Sequence, residues 1–214
     1  LPAWKPLTRS SAALAVPAWY KALTVCAACA WPLIFVNTRT ERPKTMSETE
    51  APAGDAENTL LMEIEHGTVT IKLRPDLAPL HVERIKTLAR QGFYDNVPFH
   101  RVIEGFMAQG GDPTGTGTGG SEMPDLPAEF SEPSRARFLR GVCGMARTSN
   151  PDSANSQFFI MFAPIPSLDG QYTIWGEVAA GMDAVDKIKR GSGGSGMVQG
   201  PDRIRSMKVA ADIS

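Results

Sequence analysis

Little in this chain could hold a metal or a disulfide framework. Three cysteines are scattered over 214 residues, too few and too dispersed for a stapled scaffold. Cys26 and Cys29 form a CxxC with no second pair, and Cys143 lies in an apolar stretch as a small buried residue would. The three histidines, His66, His81 and His100, form no HxxxH or HxH pattern, so no metal and no cofactor are expected. There is no Gly-Lys-Ser/Thr and hence no P-loop. The longest apolar run, 22–36, is 15 residues broken by Thr24 and Pro32, short of the ~18–20 that a membrane span needs. A strong charge of either sign is missing too, since the net value is −1. Six of the 22 basic residues and one of the 23 acidic ones fall in 1–45, which leaves 16 against 22 in 46–214. An acidic body is a poor partner for phosphate backbones, so nucleic acid is not expected.

Residues 1–45 differ from the rest. Lys5, Arg9 and Lys21 precede the apolar run, and Ala28-Cys29-Ala30 resembles a small-residue cleavage site. A signal or anchor segment, with a periplasmic or membrane-anchored protein, is one reading. The other treats 1–45 as a non-native upstream extension, because Met46 opens the polar run SETEAPAGDAEN; a cytoplasmic protein then follows. Residues 46–58 read as a flexible acidic leader, and 59–214 as the folded domain.

Within the domain, Leu60, Met62 and Ile64, then Val69, Ile71 and Leu73, alternate with polar residues around His66-Gly67, which predicts a β-hairpin. A helix is expected from Pro79 to Gln91, with Val82, Ile85 and Leu88 on its apolar stripe and Gly92 as its stop. Strands are expected over Phe138–Ala146, Ser156–Phe162 and Tyr172–Val178. A second helix is expected over Gly181–Arg190, and a last strand at Met207, Val209, Ala211 and Ile213. Gly115–Gly120 and Gly191–Gly196 both match GxGxxG. Neither sits between a strand and a helix as a dinucleotide site requires. Many short glycine-bent strands with two helices suggest a closed antiparallel barrel.

The most informative stretch is 97–111, VPFHRVIEGFMAQGG. Extended chain puts Arg101 and Ile103 on one face and His100 and Val102 on the other. One cation beside Phe106, Met107 and Gln109 suits an apolar ligand that carries a carbonyl; an edge strand with a solvated arginine is the plainer reading. No nucleophile–base set stands out, so a site built on Arg101 and Gln109 should run chemistry without proton transfer. Rotation about an X–Pro amide is such a reaction, with a barrier of ~18–20 kcal/mol set by C–N resonance.

FHRVIEGFMAQGGDPTGTGTGG (99–120), GVCGMARTSNPDSANSQFFIMF (141–162) and SLDGQYTIWGEV (167–178), in this order and spacing, resemble the cyclophilin family of peptidyl-prolyl cis–trans isomerases, in its bacterial branch. The resemblance implies a mainly β fold, a closed eight-stranded antiparallel β-barrel capped by two α-helices. It implies Arg101 as the catalytic arginine, with Gln109 holding the substrate backbone. Met145, Ala146 and Arg147 would bind the peptide through their main chain. Phe106, Met107, Phe159 and Leu168 would line a proline pocket, Gln157 would support its edge, and Tyr172 would stand where a histidine is common. Arg147 replaces a frequent asparagine, and Ser167 a frequent tryptophan. The implied partners are proline-containing peptides and unfolded or folding proteins, engaged by a monomer, with weak cyclosporin binding. A non-catalytic peptide-binding module or chaperone on this fold, or an unrelated barrel for small apolar ligands, are the alternatives.

Overall fold

The computed structural model describes residues 55–213. The signal-or-extension segment and the Cys26–Cys29 pair lie outside the described residues. The hairpin read from alternation is present as β1 (Thr59–Ile64) and β2 (Gly67–Leu73), with Met62 opposite Val69 and Leu60 opposite Ile71. Their inward side chains are at most 2% exposed. A one-residue slip would turn every one of them to solvent, which is why the pattern fixes the register.

The remaining strands are β3 (Arg101–Ile103), β4 (Met107–Gly110), β5 (Val142–Met145), β6 (Phe158–Met161), β7 (Ile174–Ala180) and β8 (Ile204–Val209). They form one antiparallel eight-stranded sheet in the order β3-β4-β6-β5-β7-β2-β1-β8. The sheet curls around Phe158, Trp175, Tyr94 and Phe99, all fully buried and meeting edge-to-face through Phe158.

Its two edge strands are joined by irregular chain. Phe99 N donates to Asp202 O (2.9 Å), Val198 N to His100 O (3.0 Å), Val102 N to Gly196 O (2.8 Å) and Gly191 N to Val102 O (2.9 Å). The glycine match at 191–196 therefore serves this seam. A Cβ on Gly196 would stand 2.3 Å from Ile103 Cγ1, so the chain can approach β3 only as glycine.

Helix α1 (Pro79–Arg90) buries Val82, Ile85 and Leu88 as its stripe requires. Its cap comes from far along the chain. Leu80 N and His81 N donate to the Glu129 carboxylate at 3.1 and 3.0 Å, an anion at the positive end of the helix dipole. Buried Arg84 donates to Pro124 O (2.7 Å), which ties the 124–130 segment to the same helix.

The second helix is shorter than its apolar spacing implied. α2 spans Met182–Val185. Beyond it, Lys187 N and Ile188 N bond three residues back, to Ala184 O and Val185 O, so the chain tightens out of the α-helix while Ile188 still reaches the core.

The leader is also shorter than expected. Asp55 to Asn58 are ordered, with Ala56–Asn58 in a 3-10 turn. Glu57 pairs with Lys86 and Arg90 at 2.9 Å each. No helix among the described residues is long and apolar enough to cross a membrane.

Candidate functional site

β3 and β4 fold back on each other at Glu104-Gly105, where Gly105 has φ +67°. The tight turn sets Arg101 directly opposite Gln109. Alternation then does what the sequence implied: His100 and Val102 are buried, while Arg101 and Ile103 face outward and are partly exposed. On β6, Phe158 enters the barrel core and Phe159 turns to the outer face. There Phe159 joins Met107, Phe138, Val142 and Ile174 in a second apolar cluster, with Phe106, Leu168 and Tyr172 packed against it.

A cavity of about 130 Å³ opens on this cluster, lined by Arg101, Phe106, Met107, Gln109, Ala146, Arg147, Phe159, Leu168 and Tyr172. Nine of the residues singled out in the sequence thus meet in one place. Two do not line it. Gln157 lines an adjoining cavity of about 470 Å³, which shares Gln109, Ala146 and Arg147. Met145 stands back from both cavities. Its side chain turns into the barrel core, 1% exposed, and its N–H is taken by Thr173 O at 3.0 Å. Of its groups, the main-chain carbonyl is the one left for a peptide.

Arg101 is fixed at two points. Its Nε donates to Ser195 O at 2.9 Å and its Nη1 to Gln109 Oε1 at 3.3 Å. Nη2 has no protein partner among the described residues and remains available to a ligand. Arg147 is spent differently. Its Nη1 donates to Thr148 O and its Nη2 to Gln171 O, both at 2.8 Å, and its guanidinium lies 4.4 Å from the Tyr172 ring centroid. That stack is worth roughly 0.5–1 kcal/mol at a partly exposed site. Arg147 therefore forms the wall between the two cavities, and Arg101 lines only the smaller one.

Two features had no signal in the sequence, and a third, Gly144, is marked there only as a glycine within a strand, where close approach is expected. The Ser195 carbonyl is 94 residues from Arg101. Phe138 is the floor beneath Phe159, stacked at 5.7 Å and 27°; its N–H also holds Asp169 Oδ1 at 2.7 Å, beside Leu168. Gly144 lets these two rings come together, because a Cβ there would stand 2.5 Å from Phe159 Cζ and 2.7 Å from Phe138 Cε1.

The loop after β4 turns its glycines inward on Asp112, which is fully buried. Thr114 N (2.8 Å), Thr114 Oγ1 (2.7 Å), Gly117 N (2.6 Å) and Gly119 N (3.1 Å) all donate to its carboxylate. Burial is the largest influence and opposes ionisation. The Thr114 and glycine hydrogen bonds together outweigh it and bring the pKa down to about 2. Within this GxGxxG run, Gly117 N and Gly119 N are thus taken by the chain's own carboxylate, and Gly115 N by the Asp112 carbonyl, rather than left for a phosphate.

His100 lies behind the loop, 1% exposed, with neither ring nitrogen hydrogen-bonded. Burial, then the charge of Arg101, holds its pKa below 6.5 against the pull of Asp112. His81 is lowered by burial as well, against Glu129. Below about pH 6.5 the unfolded chain binds protons that the native state refuses, so stability falls as pH drops. The melting temperature should decrease from pH 7 to pH 5, and by less in His100→Leu. Calorimetry at the two pH values checks this; equal slopes for parent and variant would show that His100 is not responsible.

Comparison with known proteins agrees with this geometry. Residues 59–209 match the family described as cyclophilin type peptidyl-prolyl cis-trans isomerase/CLD. A protein of Brucella suis named "Probable peptidyl-prolyl cis-trans isomerase" is 54% identical over 174 residues, which cover 76% of this chain and 87% of that one. A Gibberella zeae protein named peptidyl-prolyl cis-trans isomerase-like 1 is 40% identical over 137 residues, 62% of this chain and 84% of its own. Among solved structures, a Cryptosporidium parvum cyclophilin crystallised in the presence of the dipeptide Ala-Pro superposes with TM-score 0.64 at 28% identity, over 71% of this chain and 98% of that one. A cyclophilin from Hirschia baltica gives 0.66 at 27%, over 75% and 76%.

Proposed function

The chain belongs to the cyclophilin-type peptidyl-prolyl cis–trans isomerases, and on that premise we propose how its residues divide the work. The 130 Å³ cavity takes the proline ring; a cavity of about 150 Å³ suffices for a benzene ring. Phe106, Met107, Phe159 and Leu168 hold it by apolar contact. Arg101 Nη2 donates to the prolyl nitrogen as the amide twists and the lone pair leaves conjugation. Gln109 holds the substrate backbone and keeps the guanidinium in place. Because that hydrogen bond strengthens only in the twisted state, it lowers the barrier rather than merely tightening binding. No proton moves, so no general base is needed.

The observation that carries this reading is a guanidinium with an unpartnered nitrogen among the residues that line an apolar cavity of proline size. Exchange spectroscopy on an Ala-Pro peptide with the parent and Arg101→Ala tests it. The catalytic reading is favoured over a purely binding module because the arginine, its glutamine and the apolar floor are all assembled. Proline-containing peptides and folding chains are the ligands, in keeping with the Ala-Pro present with the Cryptosporidium protein.

Cyclosporin should bind weakly. Ser167 is exposed in the 3-10 turn Pro166–Leu168 at the cavity rim and offers a hydroxyl where many relatives place an indole. An indole that turns ~60 Å² to the drug would contribute ~1.5 kcal/mol at ~25 cal/mol per Å², and its N–H ~0.5–1.5 kcal/mol more. Ser167→Trp should therefore tighten cyclosporin binding roughly 30- to 150-fold with little change in peptide turnover. Equal affinities by titration would remove position 167 from drug recognition.

A further inference from the structure

The glycine loop is joined to Arg101 by a chain of hydrogen bonds that runs in one direction. Gln157 Nε2 donates to Gly117 O (3.1 Å) and Gly119 O (2.8 Å). Gln109 Nε2 donates to Gln157 Oε1 at 2.9 Å, and Arg101 Nη1 donates to Gln109 Oε1. Both ends dictate this order. Peptide carbonyls only accept, so Gln157 must turn its amino group to the loop and its oxygen to Gln109. A guanidinium only donates, so Gln109 must turn its oxygen to Arg101. The two amides can satisfy both ends in a single orientation, and that orientation holds the arginine.

What places the two carbonyls is Asp112. Its carboxylate gathers the N–H groups of the same residues, Gly117 and Gly119, whose carbonyls face Gln157. Gly119 cannot be replaced there, because a Cβ would stand 2.2 Å from Asp112 Oδ1. Thr114, Thr116 and Thr118 complete the turn through a row of hydroxyl contacts at 2.8 Å.

We propose that Asp112 is a positioning residue for the isomerisation: it sets the glycine loop that, through Gln157 and Gln109, fixes the guanidinium of Arg101. This rests on the reading that Arg101 is the group acting on the twisted amide. The loop also lines the larger cavity, so a loop that merely shaped that cavity would act on substrate binding. A loop that positions Arg101 acts on the catalysed step.

The test is Asp112→Asn, which keeps the size but presents an amino group to at least one of the gathered N–H groups. It should lower kcat about tenfold with KM within twofold. The same loss should appear in Gln157→Met, which cuts the chain midway, and the double substitution should lose no more than either alone, because both act through one route. The Arg101 Nε–H resonance should broaden or shift in each variant. If the losses multiply, if KM rises while kcat holds, or if kcat is unchanged, the inference is overturned. Should Asp112→Asn not fold, Gln157→Met decides by itself: an unmoved Arg101 resonance with full kcat overturns the chain. Arg101→Ala separates the two readings. If it stays active, the catalytic assignment falls and this inference with it; if it is inactive while Asp112→Asn keeps full kcat, only this inference fails.

Discussion

Arg101→Ala should lose roughly 30- to 1000-fold of the catalysed cis–trans exchange while the fold stays intact. The substitution removes the guanidinium whose Nη2 has no protein partner among the described residues. A charge-assisted hydrogen bond formed only in the transition state is worth ~2–4 kcal/mol, and each ~1.4 kcal/mol is tenfold in rate. Stability should change little, because Arg101 is partly exposed and its own bonds, to Ser195 O and Gln109, lie at the surface of the sheet. Ground-state binding of a proline peptide should also survive, since the apolar floor is untouched. Exchange spectroscopy, circular dichroism and a peptide titration separate the three quantities. Equal exchange rates with matching spectra would remove Arg101 from the mechanism. Arg101→Lys should recover only part of the loss, because an ammonium cannot reach Ser195 O, Gln109 and the substrate at once in the planar fork geometry.

Phe138→Ala should cost ~3–5 kcal/mol of stability and weaken substrate binding in the same stroke. Phe138 is 1% exposed. It stacks on Phe159 and meets Tyr172 edge-on at 6.5 Å, and Phe159 meets Tyr172 in turn at 5.7 Å. Removing it deletes a full aromatic side chain and leaves a void under the proline floor. At ~2–4 °C per kcal/mol for a domain of this size, the melting temperature should fall by roughly 6–20 °C. Phe159 would lose the ring that sets its tilt, and so KM should rise more than kcat falls. That split is the opposite of the one expected at Asp112. Phe138→Leu, which fills more of the void, should recover part of both losses. A stability change under 1 kcal/mol, or an unchanged KM, would show that Phe138 does not support the pocket.

Residue alternation determined the first hairpin and the inward set of its side chains, because burial of one sheet face is a period-two property that any window of six residues displays. The α1 stripe was legible for the same reason at its own period. So was the outward face of Arg101, together with the identity of most residues that line the cavity, since their motif lies in a few short segments.

What the sequence could not carry depends on contacts between distant segments. The second helix has the apolar spacing for three turns and forms one, because its later residues are drawn into the turn that leads to the seam beside β3. Asp55 to Asn58 look like disordered leader until α1 presents Lys86 and Arg90 to Glu57. The motif includes Met145 without saying where its side chain goes; the pleat of β5 turns it into the barrel and leaves only its main chain toward a ligand. The two glycine runs match a phosphate-binding pattern. One instead encloses a carboxylate, and the other passes tightly along an edge strand. Most of all, the arginine's position is decided by the Ser195 carbonyl and by two glutamines, one in β4 and one in the chain just before β6. Periodicity is a local quantity; a hydrogen-bond chain that crosses the sheet exists only once the strands have paired, and so the tertiary structure alone decides it.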